Sequence, residues 1–255
     1  MNAVRSILVV VDPASNDGPA VVKGRLLAEK FGARLETFEC SAELHALRQV
    51  ADRVKQTDAD LVVKDTHHHT LARRTVFTNT DWELIRGLSV ALLLTKPAAW
   101  SPLPNILAAI DPSHDSDKGV PLDHCILDHA DRLAQGLDGK LHVVHAYPCK
   151  VPVVAPIMAG PLLAASISPE AMAAEHAAKL KVLTRLASEY SLPPANIHLE
   201  VGGVRGSICN VAAQVHADIV TMGAMSRNGL TRAFMGNTAE EVLERLPCDA
   251  LIVKS

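Results

Sequence analysis

Short runs of consecutive apolar residues recur along this chain. They cover residues 7–11, 61–63, 90–94, 106–110, 141–144, 219–222 and 251–253. A run without a polar face predicts a strand that is buried on both sides, which is typical of a parallel sheet between two layers of helices. Helices are predicted between the strands, at residues 19–31, 121–137, 170–190, 208–215 and 238–246. This alternation predicts an α/β fold of doubly wound parallel sheets, whose ligands bind beyond the carboxyl ends of the strands.

The chain also repeats its own sequence. Three pairs of segments match: SILVVVDP (6–13) with NILAAIDP (105–112), FTNT (77–80) with MGNT (235–238), and VALLLTK (90–96) with CDALIVK (248–254). We therefore predict two copies of one α/β unit, as domains at residues 1–98 and 105–255. The segment between them, residues 99–104, is predicted as a Pro-rich linker because proline interrupts both strands and helices.

The two copies differ in length. The first strands are 99 positions apart, whereas the later matching segments are 158 positions apart, so the first copy lacks 59 residues (158 − 99). Most of the shortfall falls near residues 40–41, where the second copy has a Pro-rich loop, a long helix and a strand at 196–200. Two explanations stay open: the first domain has four strands, or a segment is absent from the chain.

Composition excludes several classes of protein. The net charge of −3 gives no electrostatic reason to expect nucleic acid or an anionic membrane as a partner. The five cysteines are widely spaced and form no CxxC pair, so neither a disulfide framework nor a zinc site is predicted. We therefore expect the protein in a reducing compartment, the cytoplasm. The longest apolar stretch, residues 151–165, contains three prolines and is too short to span a membrane.

Candidate chemistry lies after the fourth strand of the second copy. Gly223 ends that strand, Ser226 follows three positions later, and Gly236 stands ten positions further on, before a helix. Glycines so placed can bring backbone N–H groups and a helix dipole onto a phosphate. The pattern resembles that of the universal stress protein family, whose nucleotide-binding members carry Gly-x2-Gly-x9-Gly-(Ser/Thr) at this place. Here Ser226 replaces the second glycine and Asn237 replaces the hydroxyl residue.

The whole chain resembles a tandem universal stress protein of the E type. The resemblance implies that the two domains pack as a pseudo-dimer through their last strands, and that the protein acts in the stress response as a regulatory and binding protein without turnover. It also implies ATP or another adenine nucleotide in the C-terminal domain, with Asp111 contacting the nucleoside. The phosphates would meet Gly223, Ser226, Arg227, Gly236, Asn237 and Thr238.

Simpler interpretations exist for two of these residues. Asp111 is equally explained as the acidic residue of an Asp-Pro turn, and Arg227 as a solvated loop residue. In the first copy, Asp65, His68 and Thr78 occupy the three glycine positions. Because Asp65 would repel a phosphate, we expect no cofactor in the N-terminal domain.

The remaining candidates are weaker. The three histidines at 67–69 are interpreted as loop residues that point in different directions, so we expect no metal site there. Cys209 and Cys248 are interpreted as core thiols. Two other functions stay open: a nucleotide-using enzyme such as a weak ATPase, and a module that binds an apolar ligand under residues 151–165. No P-loop and no evident general base or other catalytic residue occurs, which favours the binding protein, with a homodimer or an unknown protein partner possible.

Overall fold

The structure is a computed structural model that describes residues 4–11, 18–40, 46–69, 74–112, 122–148, 169–224 and 237–254. Its strands are β1 (Ser6–Val11), β2 (Arg34–Glu39), β3 (Leu61–Asp65), β4 (His67–His69), β5 (Arg74–Val76), β6 (Ala91–Thr95), β7 (Asn105–Ala109), β8 (Lys140–Tyr147), β9 (Ile197–Val201), β10 (Ile219–Ala224) and β11 (Asp249–Lys254). Its α-helices are α1 (Pro19–Phe31), α2 (Ala46–Thr57), α3 (Asn79–Gly87), α4 (Leu122–Gly136), α5 (Pro169–Ser188), α6 (Val204–Gln214) and α7 (Asn237–Arg245).

One nine-stranded sheet runs through both copies, in the order β2-β1-β3-β6-β11-β10-β7-β8-β9. All its neighbouring strands are parallel except β6 and β11, the last strand of each copy, which pair antiparallel. In that pair Leu93 lies opposite Leu251, and these two residues are equivalent positions of the repeat, 158 apart. A local twofold axis therefore relates the two copies. The predicted fold, two doubly wound units joined as a pseudo-dimer through their last strands, is confirmed.

Helices cover both faces of the sheet. The first layer consists of α1, α4 and α5, and the second of α2, α3, α6 and α7, each packed on its own cluster of buried aliphatic side chains. Successive residues of one strand enter different clusters, as with Leu92 and Leu93, both fully buried. Strands that are buried on both faces leave unbroken apolar runs in the sequence, which is why those runs predicted them.

In the described ranges, the first copy contributes four strands to the sheet and the second contributes five. Among the described residues, β2 forms one edge of the sheet, whereas its counterpart β8 is covered by β9. This arrangement agrees with a four-stranded first domain, while the domain bounds at 98, 99–104 and 105 stay predictions. No helix in the described ranges combines the length and the apolar character that a membrane crossing needs.

One element was predicted wrongly. The three histidines that we interpreted as loop residues form β4, which pairs antiparallel with β5, with His67 opposite Val76. The hairpin escaped prediction because neither of its three-residue strands carries an apolar run or a regular alternation of polar and apolar residues.

Side chains from both copies and from the linker meet in the interface. Asp249 is buried and accepts three hydrogen bonds: from Lys23 Nζ at 2.7 Å, from Trp100 Nε1 at 2.8 Å and from the backbone N–H of Lys96 at 2.8 Å. Lys23 Nζ also donates to the carbonyl of Lys96 at 2.8 Å and lies 5.3 Å from the centre of the Trp100 ring. The network ties α1 and the linker to β11, so it fixes the first copy against the second.

Candidate functional site

The candidate site lies at the carboxyl ends of the parallel strands of the second copy. Asp111 follows β7, Tyr147 ends β8, and Gly223 lies one residue before the end of β10. Because β8, β7 and β10 are neighbours in the sheet, these positions share one edge. The Asp111 side chain is half exposed, and its backbone N–H donates to Asp123 Oδ1 at 3.0 Å in the first turn of α4. Burial raises the pKa of Asp123, and this bond from Asp111 works against the rise.

A wall of aromatic and polar side chains continues from β8 to α5. His145 is buried, and its Nδ1 lies 3.2 Å from the carbonyl of Ile110 and 3.7 Å from Asp111 Oδ1. The carbonyl can only accept, so Nδ1–H donates, and Nε2 is left without a hydrogen-bond partner among the described residues. The Tyr147 ring stacks at 6.0 Å from the His145 ring, and its hydroxyl lies 3.0 Å from His176 Nδ1 on α5.

Sequence reasoning missed this wall. Lys179 completes it, with its Nζ 4.9 Å from the centre of the Tyr147 ring. A signal was present, because His145 and Tyr147 lie at the end of the strand that follows the Asp111 strand along the chain. The carboxyl ends of neighbouring parallel strands meet at one edge, so both residues could have been placed beside Asp111.

The structure gives Gly223 a packing role. A Cβ atom on Gly223 would lie 2.5 Å from Leu122 Cδ2, closer than real contacts allow, so the glycine lets the first turn of α4 approach β10. Asn237 and Thr238 are the first two residues of α7. Ser226, Arg227 and Gly236 lie outside the described residues, as does the apolar stretch at 151–165. The phosphate-contacting role of these residues stays a prediction.

The first copy fills the corresponding edge with its own carboxylates. Asp65 Oδ1, at the end of β3, accepts the backbone N–H of Ala20 at 2.7 Å and the hydroxyl of Thr95 at 2.6 Å. Ala20 is in the first turn of α1, where backbone N–H groups lack partners within the helix. We predicted that Asp65 would repel a phosphate. The structure adds that this carboxylate occupies the helix N-terminus.

The N-terminus of α3 is filled as well. Thr78 Oγ1 accepts the N–H of Asp81 at 3.2 Å, and Asp81 Oδ2 accepts the N–H of Thr78 at 2.8 Å, which forms a capping box. Asp81 is fully buried, and Lys64 Nζ donates to its Oδ1 at 2.7 Å. A carboxylate therefore neutralises the helix dipole at this end as well.

The second copy lacks these charged groups. Lys64, Asp65, Asp81 and Thr95 have their equivalents 158 positions later. The second copy has residues without ionisable side chains there: Met222, Gly223, Ala239 and Val253, in the same order. Thr78 corresponds to Gly236, so the capping box has no counterpart in the sequence at the start of α7. The two copies therefore differ in charge at the end of β3 and β10 and at the start of their last helices, whereas α1 and α4 each have a carboxylate at the N-terminus, Asp65 and Asp123.

The cysteines are structural. Cys40, Cys125 and Cys248 are buried, and Cys209 is partly buried against the core; Cys125, Cys209 and Cys248 are free thiols. Burial raises the pKa of Cys248 to about 12, which leaves it an unreactive thiol. The prediction of core thiols at Cys209 and Cys248 is confirmed. Within the described ranges, no three His, Cys, Asp or Glu side chains come together as metal ligands would.

Known proteins share both the sequence and the fold. The profile of the universal stress protein family matches residues 103–254. Universal stress protein E of Salmonella typhi and that of Escherichia coli K12 are each 25% identical over 308 aligned positions, which cover 100% of this chain and 95% of each relative. The alignment has 53 more positions than this chain has residues (308 − 255), close to the shortfall of the first copy.

Solved structures agree with this result. A putative universal stress protein from Pseudomonas aeruginosa UCBPP-PA14 superposes with a TM-score of 0.77 at 25% identity, over 99% of this chain and 94% of that one. One from Archaeoglobus fulgidus has the same fold, with a TM-score of 0.63 at 13% identity, over 98% and 88% of the two chains. The family profile covers more than half of the chain. The solved structures share the fold over nearly the whole length of the chain. The chain therefore belongs to the universal stress protein family.

Proposed function

We propose that this protein is a regulatory binding protein of the stress response whose second copy binds ATP or another adenine nucleotide, without turnover. The observation that carries the proposal is the charge difference between the copies. In the first copy, Asp65 and Asp81 occupy the N-termini of α1 and α3. In the second, Gly223 and Ala239 stand at those positions. Two copies of one fold that differ at one edge are expected to differ in what that edge binds.

The phosphates belong at the start of α7. A helix N-terminus carries about half a positive charge and offers backbone N–H groups, both of which favour an anion. Asp123 stands in the first turn of α4 and would repel a phosphate there, whereas the first turn of α7 has its acidic residue, Glu240, only at the fourth position. Gly236, directly before α7, would let the phosphate approach the backbone closely.

The nucleoside belongs between β7 and β8. The half-exposed carboxylate of Asp111 is placed to accept a hydrogen bond from a ribose hydroxyl. The buried His145–Tyr147 stack supports this carboxylate from behind, since His145 Nδ1 lies 3.7 Å from Asp111 Oδ1. Asp111 therefore binds and orients the nucleoside, and no residue here takes part in hydrolysis. The free thiols of Cys125, Cys209 and Cys248 support the cytoplasm as the place of action, where a homodimer or another protein would receive the signal.

Calorimetric titration of the full chain with ATP tests the proposal. We expect saturable binding of one nucleotide per chain and no release of phosphate. Gly236→Asp should weaken binding at least about tenfold, because it places a carboxylate at the start of α7. Gly206→Asp is the matched control, since Gly206 is exposed and a Cβ there meets no atom within 4 Å. Absence of ATP binding by the unmodified protein, or equal binding by both variants, would contradict the proposal.

A further inference from the structure

The helices α1 and α4 cover the same face of the sheet. Because a local twofold axis relates the two copies, this face has two equivalent regions, one on each side of the β6–β11 pair. The helices correspond at an offset of 106 positions, so Lys23 is equivalent to His129. The strands that follow the two helices support this offset, because Arg34 pairs with Ser6 and Lys140 pairs with Asn105, the equivalent residue of the second copy. The last strands correspond at 158 positions. Three pairs of equivalent residues follow: Lys96 with Lys254, Asp249 with Ala91, and Leu93 with Leu251.

In one of the two regions, Lys23 and Trp100 line a cavity of about 490 Å³ and are bonded to a carboxylate of the chain itself. The indole of Trp100, from the linker, donates to Asp249, and Lys23 pairs with the same carboxylate. Burial lowers the pKa of Lys96, and the negative charge of Asp249 works against that change. An aromatic ring and a carboxylate thus occupy this side of the interface together, next to a buried lysine.

The equivalent region on the other side is a cavity of about 430 Å³. Its apolar lining includes Leu93, Leu133 and Leu251, and its cations are Lys254 and Arg132. Ala91 stands where the other side has Asp249, so the carboxylate has no counterpart here. Phe31 also lines this space, and His129 stands where the other side has Lys23.

Lys254 has no carboxylate partner in the part of the chain that the structure describes. Its Nζ donates to the carbonyl of Leu88, and no carboxylate among the described residues lies within salt-bridge distance of it. Burial lowers its pKa to about 8. A partly buried cation that is bonded only to a neutral carbonyl gains free energy when an anion binds beside it.

Two carboxylates, of Asp58 and Asp60, also line the cavity, but neither is within salt-bridge distance of Lys254. Asp60 accepts the backbone N–H groups of Arg5 and Ser6 at 2.7 and 3.2 Å. The strand registers place Asp60 two strands away from Lys254, about 10 Å at ordinary strand spacing. Asp58 lies two residues before Asp60, at the same end of the cavity wall formed by β3.

We infer that this cavity binds a small aromatic carboxylate. The ring lies among the leucines, where the other side of the interface holds the Trp100 indole, and the carboxylate lies beside Lys254 and Arg132, where the other side holds Asp249. The ligand thereby supplies counterparts of the Trp100 indole and the Asp249 carboxylate. The volume is within the range of small-molecule sites, and such sites combine apolar walls with a few polar groups in the same way. This site is separate from the proposed nucleotide site.

Calorimetry with indole-3-acetate as the probe tests the inference on the full chain. We expect saturable binding at one site, with neutral indole and acetate each binding at least about tenfold more weakly, because each supplies one of the two groups. Lys254→Met should weaken binding of indole-3-acetate at least about tenfold and leave binding of indole unchanged. Lys55→Met is the matched control, since Lys55 is exposed on α2, on the opposite face of the sheet.

A second variant separates binding from folding. Ala91→Asp restores the carboxylate that the other side has, and it should abolish binding of indole-3-acetate by placing a negative charge where the ligand's carboxylate lies. ATP should not displace indole-3-acetate, because the proposed nucleotide site lies elsewhere. Indole-3-acetate should therefore still bind if the proposed nucleotide site is wrong. The inference is overturned if indole-3-acetate does not bind, if ATP competes with it, or if folded Lys254→Met and Ala91→Asp bind it as the unmodified protein does.

Discussion

Lys96 and Lys254 donate the same hydrogen bond from opposite sides of the β6–β11 pair. Lys96 Nζ donates to the carbonyl of Leu246, and Lys254 Nζ donates to the carbonyl of Leu88. Leu88 and Leu246 are themselves equivalent positions, directly after α3 and α7. Carbonyl groups at a helix C-terminus lack partners within the helix and carry partial negative charge, so each lysine satisfies the last helix of the other copy. The bond is reciprocal and holds the two copies together at both ends of the strand pair.

The pH dependence of stability should report Lys254. Burial lowers its pKa in the folded protein to about 8, below the ordinary lysine value of 10.5. Between these two values the unfolded chain binds more protons, so the contribution of Lys254 to the free energy of unfolding rises with pH. We expect the unmodified protein to gain stability relative to Lys254→Met from pH 8 to pH 10, measured by urea unfolding at each pH. A constant difference across this range would show that the lysine is not desolvated.

Replacing Asp249 should destabilise the interface strongly. Asp249→Asn removes the negative charge opposite Lys23 and leaves a buried ammonium without its counterion, which typically costs about 3–5 kcal/mol. Chemical denaturation measures this loss, and Trp100 fluorescence should change with it, because the indole bonds to the same carboxylate. In the double variant Lys23→Met with Asp249→Asn, the combined loss should be smaller than the sum of the single losses. Additive losses would mean that the two charges do not interact.

Gly223→Ala separates packing from ligand binding. The new Cβ would overlap Leu122, so we expect a loss of about 1–3 kcal/mol in the free energy of unfolding. Leu122→Ala in the same chain should recover part of the loss by making room. Gly206→Ala, at a helix position with open space, should be neutral or stabilising. If Leu122→Ala brings no recovery, the glycine is required for a reason other than this contact.

Asp81→Ala tests the internal anion of the first copy. The change removes the capping box of α3 and leaves Lys64 without its partner, so we expect a destabilisation of about 3 kcal/mol or more. Lys64→Met in the same chain should reduce the loss, because it removes the unpaired charge. Urea unfolding of the two variants gives both values, and an Asp81→Ala protein of unchanged stability would show that the buried pair contributes nothing.

The inner strands of the sheet were predictable because they are buried on both faces. A strand such as residues 7–11 carries five consecutive apolar residues, which favours a buried strand. The position of Asp111 at the sheet edge followed from the same reasoning, since it comes directly after a strand. The β4–β5 hairpin has no such signal and was missed.

Contacts between distant residues could not be predicted. Asp65 was recognised as a charge that opposes phosphate, but its partner Ala20 lies 45 residues away and is brought near only by the packing of α1 on the sheet. The buried network of Lys23, Trp100 and Asp249 combines three segments separated by more than 70 residues at each step. Sequence patterns describe neighbours along the chain, whereas these bonds depend on which strands lie side by side.

The short first copy has a consequence at the border of the sheet. Arg34 and Cys40 direct their N–H groups toward β1, so the alternate residues of β2, such as Thr37, direct theirs outward, where the described sheet ends. An uncovered strand border invites other chains to extend it, and charged side chains discourage this. Arg34 and Glu39, exposed at the two ends of β2, are such charges. The solubility of the protein is therefore expected to depend on a strand that would lie inside the sheet in a full-length copy.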